Sequence, residues 1–154
     1  CIINHGANAG VFFFNDASGN YHYYSGLYAT PAMASLYTTG IDANIHGIYT
    51  NDLSSTRLVM YIGCVTGVDY APSENVTAHN LVDETYEKGS HCVLGTKDLV
   101  ILPKCNDWVN DFFSHACDGW CINDCINYAH SQQLGSGLEK SLYVLGDVKQ
   151  RLDQ

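Results

Sequence analysis

Positive charge is scarce in this chain of 154 residues: 7 Lys and Arg stand against 16 Asp and Glu, a formal charge of −9. So few cations cannot form the basic footprint that a phosphate backbone requires, which argues against nucleic acid as a partner; the acidic surface reads as solubility. Long apolar runs are missing too. None approaches the roughly 18 consecutive residues of a membrane span, and no charged-then-apolar leader is visible. Metal-ligand spacing is also lacking. No cysteine pattern fits a zinc site, no acidic loop has the layout of a calcium site, and no cofactor is implied.

What is present suits one compact domain over residues 1–154. The composition is 46% hydrophobic and 15% charged, enough to bury a core. The chain opens on Cys1 followed by Ile2-Ile3, a β-branched pair suited to a sheet interior. That is the expectation for an internal start, with further strands supplied by an N-terminal fragment of the same precursor or by another chain. Seven cysteines is an odd number, so at least one thiol is free or bonded to another chain, while the even remainder can form disulfides. Abundant Tyr, Asn, Ser, Thr and Gly, with the acceptor-type triplet Asn75-Val76-Thr77, point to a secreted or cell-surface protein. Cys117, Cys121 and Cys125 recur every four residues and on a helix would share one apolar stripe.

Along the chain, Cys1 to Asn4 reads as a buried strand ending at His5-Gly6. The aromatic runs Val11 to Phe14 and Tyr21 to Tyr24, parted by Asn, Asp, Ser and Gly, form a hairpin. A short helix is expected from Thr30 to Tyr37 and a short strand from Asn44 to Tyr49. Arg57 to Ile62 is a nearly continuous apolar run, as in a central parallel strand covered on both faces, and it ends at Gly63-Cys64. Ser73 can cap a helix over Glu74 to Lys88, stopped by Gly89, before a strand at Cys92 to Leu94. Trp108, Val109, Phe112, Phe113 and Ala116, then Cys121, Ile122, Cys125, Ile126 and Ala129, mark two one-faced helices around Asp118-Gly119. Leu142 to Leu145 is the last strand. The alternation implies an α/β fold with a mainly parallel sheet and ligand chemistry at the carboxyl ends of its strands.

Two positions carry chemistry. His5 and Cys64 each follow a buried strand and each adjoin a glycine, so residues distant in sequence can meet in one crevice. A thiol attacks as its thiolate, and a neighbouring imidazole promotes that form and returns the proton to a leaving amine. The amides of Gly6 and Cys64 can donate to a tetrahedral oxyanion. His46-Gly47 is a second-choice base. His22, His79, His91, His115 and His130 read as structural or surface residues.

These segments together resemble the caspase-like (clan CD) cysteine peptidases, nearest to gingipain-like and CHAT-like members. Ile2 to Gly6 is similar to the strand that leads to the family's catalytic His-Gly. Arg57 to Gly67, RLVMYIGCVTG, is similar to the strand leading to the catalytic cysteine. Leu81 to Thr96, Trp108 to Phe113 with Gly119, and Tyr143 to Asp147 resemble the helix, turn and strand segments that follow. The resemblance implies a three-layer caspase-like sandwich whose N-terminal strands are missing here or supplied by another segment. It further implies hydrolysis of peptide bonds in a protein or peptide substrate through an acyl-enzyme, with Cys64 as nucleophile and His5 as proton-transfer partner. Where many relatives place an aspartate two residues before the cysteine to bind a basic side chain, this chain has Ile62. Asp69 can take over that substrate contact, or serve as a turn residue after Gly67. Two other functions fit the same residues. One is a catalytically silent caspase-like module of a surface protein or assembly, with the hairpin over residues 11–24 as contact surface; the other is a thiol transferase.

Overall fold

The structure, a computed structural model, describes Cys1, residues 51–69 and residues 80–153 in full, and the backbone alone in the strands between residues 2 and 44. Eight strands and four helices are described: β1 (Ile2–Ile3), β2 (His5–Ala7), β3 (Gly10–Phe14), β4 (Tyr23–Tyr28), β5 (Ala43–Asn44), β6 (Val59–Ile62), α1 (Leu81–Glu87), β7 (Cys92–Thr96), α2 (Leu102–Cys117), α3 (Ile122–Gln132), α4 (Leu138–Ser141) and β8 (Leu142–Gly146). The fold is mixed α/β. One sheet runs β1-β6-β7-β8 and a second runs β2-β3-β4-β5.

In the first sheet β1 pairs parallel with β6, and β6 parallel with β7; β8 then returns antiparallel along β7. A mainly parallel sheet is therefore present among the described residues. The continuous apolar stretch before Cys64 is its β6, flanked on both sides by parallel neighbours. Period-two alternation divides the strands between two faces. Met60, Ile62, Cys92 and Leu94 enter the core cluster with α2 and α3. Tyr61 faces the other way, where its hydroxyl bonds Thr85 of α1 at 2.8 Å, and burial pushes that phenol up to about 12. Gly95 faces α1 as well. A Cβ there would run into Val82, so a glycine at this position lets helix and strand approach closely.

The two one-faced helices form as their spacing predicts. Cys105, Trp108, Val109, Phe112 and Ala116 are the buried positions of α2, and Ile122, Cys125, Ile126 and Ala129 those of α3, both at three- and four-residue intervals. Trp108 stacks on Phe112 with ring centroids 5.6 Å apart. Its indole N–H donates to Nδ1 of His130 at 3.0 Å, so that nitrogen is unprotonated and the ring proton sits on Nε2. The helices part at Gly119, whose φ of +80° favours a residue without Cβ. Cys117 closes α2 and Cys121 is the N-cap of α3. The turn between them thus breaks the cysteine stripe expected from four-residue spacing: Cys117 is exposed and Cys125 buried.

Other expectations need correction. The first described helix starts at Leu81, capped by Asn80, whose side-chain oxygen accepts from the amides of Val82 and Asp83 at 3.0 Å each. An Asn with an acidic residue three positions on satisfies the orphan amides of the first turn, so no cap at Ser73 is required for this helix. Ser73, the helix at 30–37, the hairpin turn and the greater part of the strand at 44–49 lie outside the described residues, as do His22, His46 and His79. His5 does not end a strand. It opens β2, which pairs antiparallel with β3, His5 opposite Phe12 and Gly6 opposite Val11. The aromatic hairpin is present as β3 and β4, with Phe14 opposite Tyr23. All seven cysteines are free thiols in the structure, so the even remainder that could form disulfides is unpaired here.

The His130 contact sets a pH dependence. Burial lowers the imidazole pKa from 6.5, against an opposing pull from Glu139. The unfolded chain therefore takes up its proton first, and stability contributed by the neutral ring is complete above pH 6.5 and is lost as pH falls through the lower folded value. The urea midpoint is expected to fall as pH drops below about 6.5. His130→Gln, whose amide oxygen can still accept from the indole, is expected to flatten that fall; an unchanged slope would count against this assignment.

Candidate active site

Cys64 lies just past the carboxyl end of β6, in a loop pinned by two buried threonines. The Thr66 hydroxyl donates to the carbonyl of Tyr61 at 2.8 Å and accepts from the amide of Thr96 at 3.0 Å. The hydroxyl of Thr96 donates to the carbonyl of Gly63. Both threonines are fully buried, so each bond replaces a contact with water that the interior cannot supply. Backbone bonds complete the clamp: Gly67 N–H to Thr96 carbonyl at 2.8 Å, Val65 N–H to Asp98 carbonyl at 3.2 Å, and Leu81 N–H to Thr66 carbonyl at 3.3 Å. The loop is thereby tied to the end of β7 and the start of α1.

Within it, Val65 has φ of +53°. A β-branched residue in the left-handed region costs about 1–3 kcal/mol, a strain that the surrounding bonds hold in place directly after Cys64. Cys64 itself is half-buried. Its thiol points to the carbonyl of Val100, 3.8 Å away, and its side chain packs on the core cluster that includes Cys105.

The placement of His5 follows from the register. Ile2 pairs with Tyr61 and Ile3 with Ile62, and His5 and Cys64 each lie two positions beyond. Parallel neighbours run roughly 4.8 Å apart, so Ile3 and Ile62 end their strands side by side at the same level. Gly6 follows within β2, in its ladder with β3.

Asp69 is exposed at the rim of a cavity of about 370 Å³, which Asn80, Asp83, Lys97 and Tyr143 also line. The amide nitrogen of Asn80 donates to both Asp69 and Asp83, at 2.5 Å each, and the Tyr143 hydroxyl donates to Asp83 at 2.8 Å. Desolvation first, then the Asp83 bond and the charges of Asp83 and Asp69, push the Tyr143 phenol up to about 12. Lys97 lies 3.7 Å over the Tyr143 ring. Asp69 thus shares the Asn80 amide with a second carboxylate. Asp83 and Tyr143 were not singled out by sequence. An acidic residue three positions after an Asn cap was the only signal for Asp83, and Tyr143, 60 residues further on, offered none.

The remaining described histidines serve structure. His91 bonds the carbonyl of Ser54 at 2.8 Å, and His115 packs against Tyr128 and Trp120 with ring centroids 3.7 and 4.4 Å away. Among the described residues no group of three or more His, Cys, Asp or Glu side chains is arranged to hold a metal ion. No described helix is long and apolar enough to cross a membrane.

The threonine clamp can be tested through stability. Thr66→Val keeps the shape but orphans the Thr96 amide and the Tyr61 carbonyl, each worth about 1–3 kcal/mol when buried. A marked drop in the urea midpoint is expected, with Thr66→Ser close to wild type. Equal effects of the two substitutions would show that packing, and not the hydroxyl, holds the loop.

Comparison with known proteins found no match to this chain among protein-family models, curated proteins or solved structures.

Proposed function

We propose that the chain is a cysteine endopeptidase of caspase-like fold, hydrolysing peptide bonds through an acyl-enzyme on Cys64 with His5 as proton-transfer partner. The observation that carries this reading is the β1–β6 register, which places the two residues at equal steps beyond paired positions of adjacent parallel strands. A helix on each face of a mainly parallel sheet, with α1 against Tyr61 and α2 and α3 against Met60 and Ile62, is in keeping with a three-layer sandwich.

In this mechanism the Cys64 thiol leaves the Val100 carbonyl, a weak acceptor contact, and gives its proton to His5. The thiolate adds to the scissile carbonyl, whose oxyanion takes hydrogen bonds from the amides of Gly6 and Cys64. The imidazolium then protonates the leaving amine, and water activated by the same imidazole releases the acid product. Asp69 and Asp83 hold the substrate's side chain before the scissile bond. Two carboxylates against the single ammonium of Lys97 leave the cavity net negative, which favours a cationic group, Lys or Arg.

Labelling of the full chain with a peptidyl acyloxymethyl ketone, mapped by peptide mass, tests the assignment. The adduct is expected on Cys64, absent in Cys64→Ala, and formed about 100-fold more slowly in His5→Ala, the usual scale for removing a proton-transfer partner. Adducts on other thiols alone, together with inert peptide panels, would refute it. Asp69→Asn and Asp83→Asn are each expected to lower kcat/KM for Lys and Arg peptides by about 10- to 100-fold, the worth of one charge-assisted hydrogen bond. Equal losses on neutral peptides would remove the cavity from substrate recognition.

The inward thiol favours a second reading. A cysteine bonded to Val100 and packed on the core is also what a catalytically silent caspase-like module would retain, as a small apolar residue. The same labelling separates the two.

A further inference from the structure

Cys105, one turn into α2, is fully buried, yet it lies on the same side of the sheet as Cys64 and in the same apolar cluster. The link between them is local. Ile101 caps α2, which makes Val100 the residue before the cap and Cys105 the fourth residue of the helix. A buried apolar pair at these two positions is the hydrophobic staple that sets a chain's entry into a helix, and both residues are buried here. The carbonyl of Val100 is also the acceptor of the Cys64 thiol at 3.8 Å. Val100 thus accepts from the Cys64 thiol and occupies the staple position that faces Cys105. Cys92 and Cys125 belong to the same cluster, but the charge of Cys64 acts on Cys105, together with that of Glu139, whereas Cys92 feels Asp147 and Cys125 feels Cys121 and Asp124.

We propose that Cys64 and Cys105 are a redox pair, closing a reversible disulfide when the half-buried Cys64 meets a peroxide. The roles are unequal. Cys64 has access to solvent, while Cys105 is enclosed and its thiol is pushed up to about 11, first by burial and then by the charges of Cys64 and Glu139. Oxidation therefore starts at Cys64. Its thiolate attacks hydrogen peroxide, the O–O bond breaks, and sulfenic acid forms with release of hydroxide, which takes up a proton to become water. The Cys105 sulfur then attacks the sulfenic sulfur, loses its proton, and expels the hydroxyl as a second water. Two thiols and one peroxide yield one disulfide and two waters. Only a weak S–H contact to Val100 has to be given up, since a thiol is a poor donor. That the bridge acts as an off-switch rests on the peptidase reading; the bridge itself does not.

The full chain, treated with hydrogen peroxide, alkylated and cut with trypsin and chymotrypsin without reductant, is expected to lose two mass units. It should yield a peptide joining Cys64 to Cys105, separated from Cys117 by cleavage after Trp108. Alkylation of Cys64 should slow at least tenfold and recover fully with dithiothreitol. Cys105→Ala and Cys105→Ser should abolish the cross-link and let Cys64 proceed to sulfinic acid, which dithiothreitol does not reverse. Cys64 joined to another cysteine, no cross-link in the wild-type chain, or reversible protection of Cys64 persisting in folded Cys105→Ala would each overturn the pair. A Cys64–Cys105 bridge in a chain that never labels with the ketone or cleaves peptides upholds the pair and refutes the peptidase.

Discussion

The structure around Cys64 depends on two threonine hydroxyls. Strand β6 delivers its last apolar residues into the core and must then turn, and a turn at a buried strand end exposes carbonyls and amides with no water to meet them. Thr66 and Thr96 meet them instead, each bonding the backbone of the other's segment. The loop so held is rigid enough to keep Val65 in a left-handed conformation that a β-branched residue avoids when free. What the clamp fixes is the position of the half-buried Cys64 thiol past the end of β6.

The same constraint orients the neighbourhood. Because the amide of Leu81 bonds the Thr66 carbonyl, α1 begins where the Cys64 loop ends, and Asn80 brings Asp69 and Asp83 to one cavity. Across the sheet, the 98–101 segment receives the Val65 amide and the Cys64 thiol before feeding α2. One loop thus meets an acidic cavity on one side and the buried Cys105 on the other.

Much of the frame was legible. A nearly unbroken apolar run from Arg57 to Ile62 can be satisfied only by burial on both faces, which is the position of β6. Three- and four-residue spacing of large apolar groups had one solution for α2 and α3. The candidate site was legible only in part. His5 and Cys64 stood out as strand-end residues beside glycines, and Asp69 as a nearby acid. Thr66, Thr96, Asp83, Tyr143 and Cys105 did not, because each acts through a partner distant in the chain, and residue type without distance says nothing of pairing. The helix start was misplaced for a related reason: Ser73 and Asn80 are equally good caps by type, and the contact of Leu81 with Thr66 is a tertiary fact.

The chain's own composition and periodicity determined an acidic α/β domain with parallel strands, two one-faced helices and an aromatic hairpin, since burial of apolar faces leaves few alternatives at that level. Tertiary structure alone decided that β8 runs antiparallel, that His5 opens a second sheet instead of ending the first, and that the Cys64 thiol turns inward to Val100. The physical reason is common to all three. Strand direction, register and thiol orientation are settled by hydrogen bonds and packing between segments tens of residues apart, and no local propensity encodes them.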